Sequence, residues 1–243
     1  IMGQLRDFQR RVFPTLSPVL THDAGVDVFI DTWHELGAST HGPSSAFRQT
    51  VFNETWANQS IANLLMLHVE HLPHTASSTL HGTEMPPALS KAAHPHAGGS
   101  LPNLWKMRGC STQIRQLEQD VRMHEYDAIV KMRPDSRFWS ENERRALLHA
   151  IDYFLDEHSA VGMDLYFSQT AINPTFQVSD KYAVGTSSAM HYYLETWDAL
   201  ASIWNAWLLD RNGTLPVGER LQYMRMRQGP YKSAPYPQIW WNS

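Results

Sequence analysis

The chain has 243 residues, of which 42% are hydrophobic and 18% charged, a composition typical of a globular protein rather than a disordered one. The formal net charge of -4 gives no reason to expect nucleic acid as a partner. The single cysteine, Cys110, excludes an internal disulfide.

The first thirty residues carry the pattern of a strand–helix–strand unit. The first two residues predict the end of a buried strand that is truncated in this sequence. Apolar residues at helical spacing over 8–19 predict a helix, broken near Pro14 or Pro18. Residues 26–30 are β-branched and aromatic and predict a second strand.

The next part of the chain gives weaker signals. We expect a helix near 56–64 and a strand over 64–69. Residues 72–102 are rich in His, Ser, Pro, Gly and Ala and lack periodicity, which predicts a long loop with an inserted segment over 76–100.

The remaining part of the chain has clearer periodicity. It predicts helices over 104–123, 141–154, 187–209 and 217–226, and strands over 126–132, 165–167 and 181–185. Strands that alternate with helices are typical of an α/β domain with a parallel sheet. Because no repeat and no linker is evident, we expect a single domain over 1–243.

The first candidate site is the turn that contains Gly3, Gln4 and Arg6, directly after the first predicted strand. Ligands of open α/β sheets bind outside the carboxyl ends of the strands. A glycine there lets the backbone approach a phosphate, and an arginine can hold a diphosphate through two hydrogen bonds. A plain turn with a surface charge explains the same residues.

A second candidate site follows the strand predicted over 126–132. Asp135 can ligate a hard cation such as Mn²⁺ or Mg²⁺, which would bridge the oxygens of a diphosphate. Arg133 and Arg137 flank Asp135 and can contact phosphate directly. A surface Arg–Asp pair is the alternative. Because a full Asp-x-Asp pair is absent, a role for the carboxylate is better supported than metal dependence.

Two further groups of residues are weaker candidates. Asp180 leads into a predicted strand and could act as a general base, or it could simply cap a turn. His68, His71 and His74 have a spacing suggestive of a metal site. Pro73 interrupts any helix that would align their rings, so a solvated loop is the better explanation.

Several other chemistries are disfavoured because their motifs are absent. The chain has no Gly-x-Ser-x-Gly elbow, no phosphate loop ending in Gly-Lys-Ser/Thr and no Gly-x-Gly-x-x-Gly turn. Cys110 is predicted to be a buried, inert thiol rather than a nucleophile.

Four sequence blocks, at residues 3–6, 27–33, 126–135 and 179–190, occur in an order and spacing that carry a resemblance. Together they resemble a family of glycosyltransferases found in algae, large algal viruses and bacterial surface-polysaccharide loci. One departure is Asp31, which stands where many relatives have His, and this puts any role of that position in doubt.

The resemblance implies a GT-A-like, Rossmann-type α/β fold, in which a mainly parallel mixed sheet is flanked by helices. It implies transfer of a sugar from a UDP-sugar or GDP-sugar to a hydroxyl of a glycan or glycoconjugate, with Mn²⁺ or Mg²⁺ as the candidate metal.

The resemblance also assigns roles to individual residues. Gly3, Gln4 and Arg6 would face the nucleotide diphosphate. Arg133 and Asp135 would occupy the place of the metal- and diphosphate-binding motif. Asp180, followed by Glu219 at the opening of the last helix, is the candidate for acceptor-side catalysis.

Alternative functions and the cellular location stay open at this point. A non-catalytic carbohydrate-binding module on the same fold is the alternative, and nucleotide binding separates the two. A hydrolase or phosphotransferase is disfavoured because its phosphate loops are absent.

Sequons at Asn53, Asn58 and Asn212, with the resemblance, favour the secretory pathway or Golgi lumen in a eukaryote; otherwise we expect the cytoplasm. A membrane anchor would have to lie outside this chain, because no apolar run here approaches the ~20 residues of a membrane span.

Overall fold

In a computed structural model of the chain, the part that the structure describes is a mixed α/β assembly of helices and short strands. It comprises residues 9, 12–20, 25–33, 35–36, 50–70, 79–80, 83–84, 100–133, 141–155, 165–167, 182–203 and 218–235.

The helices and strands follow most of the predicted positions. The α-helices are α1 (Phe13–Leu20), α2 (Glu54–Ser60), α3 (Ser100–Leu117), α4 (Glu141–Leu155), α5 (Ser187–Leu194) and α6 (Gly218–Gln228). The strands are β1 (Val28–Trp33), β2 (Glu35–Leu36), β3 (Thr50–Val51), β4 (Leu64–Glu70), β5 (Thr79–Leu80), β6 (Thr83–Glu84), β7 (Ile129–Met132), β8 (Leu165–Phe167), β9 (Tyr182–Gly185) and β10 (Ser233–Pro235).

Strands β1 and β4 form a parallel pair, as the alternation of strands and helices predicts. Helix α2 lies between them in sequence and is capped at its N-terminus by Asn53, whose side chain accepts a hydrogen bond from the Trp56 amide at 2.9 Å. Val28 and Ile30 of β1 are buried in the core, which fixes the face that this strand presents to it.

Four other strands form a mixed sheet in the order β10-β8-β9-β7. Strand β9 is antiparallel to both of its neighbours, and only β10 and β8 are parallel. The predicted predominance of parallel pairing is therefore wrong for this sheet. The sequence of β9 is a continuous apolar run, and all four of its residues are buried. Such a run does not indicate whether the strand is parallel or antiparallel to its neighbours.

Helices cover both faces of this mixed sheet, as predicted. Ile129 and Ala183 face a core that contains residues of α3, α5 and α6. Met132, Tyr182 and Val184 face a second core that contains residues of α1, α2 and α4. The alternation of neighbouring residues between the two cores is the period of two expected of a strand.

Three details differ from the predictions. Helix α1 runs through both Pro14 and Pro18, so the predicted break there is wrong. The helix predicted over 187–209 is divided by a 3-10 turn at Glu195–Ala199, in which the Thr196 hydroxyl donates to the Tyr193 carbonyl at 2.6 Å. The segment predicted to be a loop contains the antiparallel pair of β5 and β6 and, at Ser100, the start of α3; the other residues of 76–100 lie outside the described residues.

Candidate functional site

Most of the residues predicted to form the site lie outside the described residues. These are Gly3, Gln4, Arg6, Asp135 and Asp180.

Two predicted site residues belong to the described part. Arg133 directly follows β7 and is half-buried, and Glu219 is the second residue of α6. The roles assigned to both residues stay predictions.

The pairing of β7 with β9 brings two of the four sequence blocks to one edge of the mixed sheet. Met132 ends β7, Tyr182 begins β9, and the two are register partners. At this end of the two strands, β7 leads into Arg133 and the block 179–190 leads into β9.

A cluster of ionisable side chains lies toward the carboxyl ends of the parallel strands β1 and β4. We call Asp31, His68, Glu70 and Lys106 the carboxyl-end cluster. Asp31 and His68 are register partners on the two strands, and Glu70 is the last residue of β4. Lys106 projects from α3, which packs against β1. The carboxyl ends of parallel strands are the usual ligand-binding edge of an α/β protein.

Lys106 is the buried centre of the carboxyl-end cluster. Its ammonium nitrogen lies 2.7 Å from Asp31 Oδ1 and 2.8 Å from Glu70 Oε2. The Lys106 side chain is 0% exposed and the Asp31 side chain 3%, so both charges are removed from water. Such burial is tolerated only when opposite charges compensate each other, and here two carboxylates surround one amine.

His68 forms the accessible part of the same cluster, with a side chain that is 50% exposed. Its Nδ1 lies 3.0 Å from Asp31 Oδ1. Because an ionised carboxylate only accepts hydrogen bonds, Nδ1 must carry the proton, and Nε2 then holds the lone pair of the neutral ring. A half-exposed imidazole in this tautomer can accept a proton.

Gly109 allows α3 to approach the cluster closely. A Cβ atom at this position would lie 2.4 Å from Asp31 Oδ2, which is well inside van der Waals contact. The next residue, Cys110, is fully buried, and burial raises the pKa of its thiol to about 12. The prediction that Cys110 is a buried thiol is confirmed.

A second polar network is buried between α3 and α5. Ser111 Oγ lies 2.6 Å from His191 Nδ1, and His191 Nε2 lies 2.9 Å from Glu118 Oε2. Glu118 also accepts hydrogen bonds from the Ser187 hydroxyl at 2.7 Å and from the Tyr126 amide at 2.8 Å. The network thus joins α3 to α5 and to the segment that leads into β7.

The order Ser111–His191–Glu118 looks like the triad of a hydrolase, but its geometry does not suit one. The serine contacts Nδ1 rather than Nε2, and its side chain is fully buried. The Ser111 hydroxyl donates its proton to Glu195 Oε1 at 2.9 Å, and Arg115 donates to the same oxygen at 2.7 Å. The arrangement stabilises the packing of α3 rather than presenting a nucleophile.

The pKa values of this network follow from burial and hydrogen bonding. Burial raises the pKa of Glu118, but hydrogen bonds from Tyr126, Ser187 and His191 outweigh it and hold the pKa below its ordinary 4.5. Burial lowers the pKa of His191 below its ordinary 6.5, against the opposing hydrogen bond to Glu118.

Glu118 occupies this position because a π-helical turn, Glu118–Arg122, follows α3. The turn ends at Met123, whose φ of 59° is in the left-handed region. Turns of this kind are often found where a helix must place a particular side chain.

A cavity of about 180 Å³ lies where β1 and β7 begin, at the opposite end of β1 from the carboxyl-end cluster. At its rim the Tyr126 hydroxyl and Arg122 Nη1 both donate to Asp27 Oδ2, at 2.7 and 3.0 Å, and burial raises the pKa of Tyr126. The rest of its wall is mainly apolar and includes Leu20, Val26, Val28, Phe29, Ile114, Ile129, Val130, Met132, Ile151 and Leu155.

Other expectations concern metals, glycosylation and membranes. Within the described ranges, no group of three or more His, Cys, Asp or Glu residues is placed to hold a metal ion. Asn53 and Asn58 are exposed, and Asn212 lies outside the described residues. None of the helices that the structure describes has the length and apolar character needed to cross a membrane.

Comparison with known proteins yields no match to a protein-family model, to a curated protein or to a solved structure.

Sequence reasoning missed the carboxyl-end cluster as a unit. It considered Asp31 and His68 separately and singled out neither Glu70 nor Lys106. The signal that could have found them is positional, because Asp31 directly follows one predicted strand and His68 lies within another, and the parallel pairing of these strands brings the two residues together.

Proposed function

We propose that the chain is a glycosyltransferase that transfers a sugar from a nucleoside diphosphate sugar to a hydroxyl of a glycan or glycoconjugate. The observation that carries the proposal is the β7–β9 register, in which two separate blocks of the resemblance are adjacent at one sheet edge. A third block forms β1, whose carboxyl-terminal half contributes Asp31 to the charged cluster.

The mechanism that fits the proposal depends mainly on positive charge. When the bond between the sugar and the diphosphate breaks, negative charge develops on the leaving diphosphate. Arg6 and Arg133 are proposed to stabilise that charge, since a guanidinium can hold two phosphate oxygens at once. Mn²⁺ or Mg²⁺ held by Asp135 would add further positive charge, and Asp180 or Glu219 would contact the acceptor hydroxyl.

The alternative is a non-catalytic carbohydrate-binding module on the same fold. It would bind glycan without nucleotide, and it would have no need of Arg6 and Asp135 together. A secretory or Golgi location in a eukaryote belongs to the same proposal.

A thermal-shift panel of nucleoside diphosphates and their sugars, with Mn²⁺ and with EDTA, tests the proposal. We expect selective stabilisation by one nucleoside diphosphate, and a loss of that shift in EDTA would support metal binding. Arg133→Ala should reduce the shift.

Arg145→Ala is the matched control, because Arg145 is an exposed arginine of α4 whose partner is Glu141. It should keep the wild-type shift. A folded wild-type chain that responds to none of the nucleotides would contradict the transferase and favour the carbohydrate-binding module.

A further inference from the structure

We propose that His68 is the general base that accepts the proton of the acceptor hydroxyl, with Asp31 as the residue that positions it. This inference rests on the proposed transferase function and assigns the base on the acceptor side to His68, which leaves Asp180 or Glu219 to bind the acceptor hydroxyl. It starts from the carboxyl-end cluster, where a half-exposed imidazole is hydrogen-bonded to a buried carboxylate.

The first argument is position. His68 and Asp31 are opposite each other on adjacent parallel strands and lie toward the carboxyl ends of those strands. Because the backbone of a paired strand is fixed by its ladder, the dyad does not depend on a loop for its geometry. Both residues therefore lie toward the carboxyl ends of the strands, where α/β proteins usually bind their ligands.

The second argument is the tautomer. Asp31 Oδ1 is 3.0 Å from Nδ1, so the proton of a neutral ring is held at Nδ1. Nε2 then carries the lone pair that a base requires. The carboxylate also opposes ring rotation and stabilises the imidazolium that forms, as the carboxylate of a catalytic triad does.

The third argument is charge. The charged groups around His68 are Asp31 on β1, Glu70 on β4 and Lys106 on α3. Two carboxylates and one ammonium leave the cluster with one uncompensated negative charge when His68 is neutral. The positive charge that His68 would carry after the transfer is therefore compensated within the cluster, by a carboxylate 3.0 Å from its Nδ1.

The step balances as a single displacement. The acceptor O–H proton moves to His68 Nε2 while the acceptor oxygen forms a bond to the anomeric carbon of the donor sugar. The bond from that carbon to the diphosphate oxygen breaks, and its electron pair leaves with the nucleoside diphosphate. His68 then returns its proton to solvent through its exposed side, and the configuration at the anomeric carbon is inverted.

The test measures release of nucleoside diphosphate from UDP-glucose, UDP-galactose, UDP-N-acetylglucosamine and GDP-mannose, with an oligosaccharide mixture as acceptor. In His68→Ala, kcat should fall by about 100- to 10,000-fold, while the KM for the donor and the nucleotide thermal shift stay unchanged. Added imidazole should restore part of the lost rate.

Two further variants sharpen the result. In Asp31→Asn the amide can donate to Nδ1, which moves the ring proton to Nε2 and removes the base. We therefore expect a loss of kcat that imidazole does not restore, because the ring of His68 still occupies the site. His149→Ala is the matched control, since His149 is an exposed histidine of α4, and it should retain wild-type kcat.

Several outcomes would overturn the inference. A His68→Ala variant within about threefold of wild-type kcat would exclude His68 as the base, because general-base catalysis contributes far more than that. Loss of the nucleotide shift in this variant would make His68 a residue of binding or folding instead. If the wild-type chain binds no nucleotide and releases none from any donor, the transferase proposal fails first and this inference fails with it.

Discussion

Replacement of Lys106 by methionine should destabilise the fold more than most single substitutions. The change keeps the apolar length of the side chain and removes only the ammonium. In the wild-type chain that ammonium lies 2.7 Å from the Asp31 carboxylate and 2.8 Å from that of Glu70. The side chains of these residues are 3% and 11% exposed, so water cannot replace the lost partner at Asp31 and replaces it poorly at Glu70.

The magnitude follows from the burial of these charges. Removing one partner of a buried ion pair typically costs about 3–5 kcal/mol, because the other charge is left uncompensated. Asp31 keeps its contact with His68 Nδ1, which reduces its share of the loss. We therefore expect a decrease of about 3 kcal/mol in the free energy of unfolding, near the lower end of that range.

Urea unfolding at neutral pH, followed by tryptophan fluorescence, measures this change. The double variant Lys106→Met/Asp31→Asn should recover part of the loss, because it removes one of the two stranded charges. Arg145→Met, which breaks an exposed ion pair on α4, should have little effect. A loss below about 1 kcal/mol in Lys106→Met, the size expected of a surface pair, would refute the reasoning.

Three further predictions concern the same helix and its neighbours. Gly109→Ala should lower the free energy of unfolding, because the added Cβ would lie 2.4 Å from Asp31 Oδ2. Overpacking of this kind costs about 1–3 kcal/mol, whereas the gain in helix propensity is at most ~1 kcal/mol. A variant that is more stable in urea unfolding would contradict this prediction. Folding lowers the pKa values of both His191 and Glu118, so the unfolded chain binds more protons than the native chain. The free energy of unfolding should therefore decrease as the pH drops below 6.5, because of His191, and decrease further as the pH drops below 4.5, because of Glu118. His191→Gln should flatten the upper part of that pH dependence, and an unchanged slope in urea titrations between pH 7 and 5 would disprove the assignment. The Cys110 thiol should react with Ellman's reagent only after unfolding, because it is fully buried and burial raises its pKa to about 12, so rapid reaction of the native chain would be inconsistent with this account.

The elements that sequence reasoning located well are those with strong local patterns. Helix α4 and strands β7 and β9 lie within a few residues of their predicted bounds. Helix α4 has helical spacing of apolar residues, β9 is a continuous apolar run, and β7 is an apolar run interrupted by Lys131; these patterns depend only on near neighbours in the sequence.

The features that the sequence did not predict depend on distant residues. The π-helical turn after α3 places Glu118 where Ser187 and His191 meet it, and both of these residues come much later in the chain. The 3-10 turn after α5 begins at Glu195, which Arg115 of α3 holds through two hydrogen bonds. Local periodicity cannot report such contacts.

The candidate site was predictable only in part, for the same reason. A lysine in a helix is usually a surface residue, and Lys106 is buried because Asp31 and Glu70 come from two different strands to meet it. The β1–β4 register places His68 beside Asp31, and only the folded chain gives that register. The roles of Asp135 and Asp180 stay predictions, because both lie outside the described residues.

The most direct test of the central claim is an equilibrium titration of the purified chain with UDP and GDP, and with their monophosphates, in the presence of Mn²⁺. The transferase account predicts one saturable site that prefers one nucleoside diphosphate and binds the matching monophosphate more weakly, because the second phosphate is the group that Arg6, Arg133 and Asp135 are proposed to recognise. Absence of binding by either diphosphate to a folded sample that still binds glycan would contradict the account and identify a carbohydrate-binding module instead.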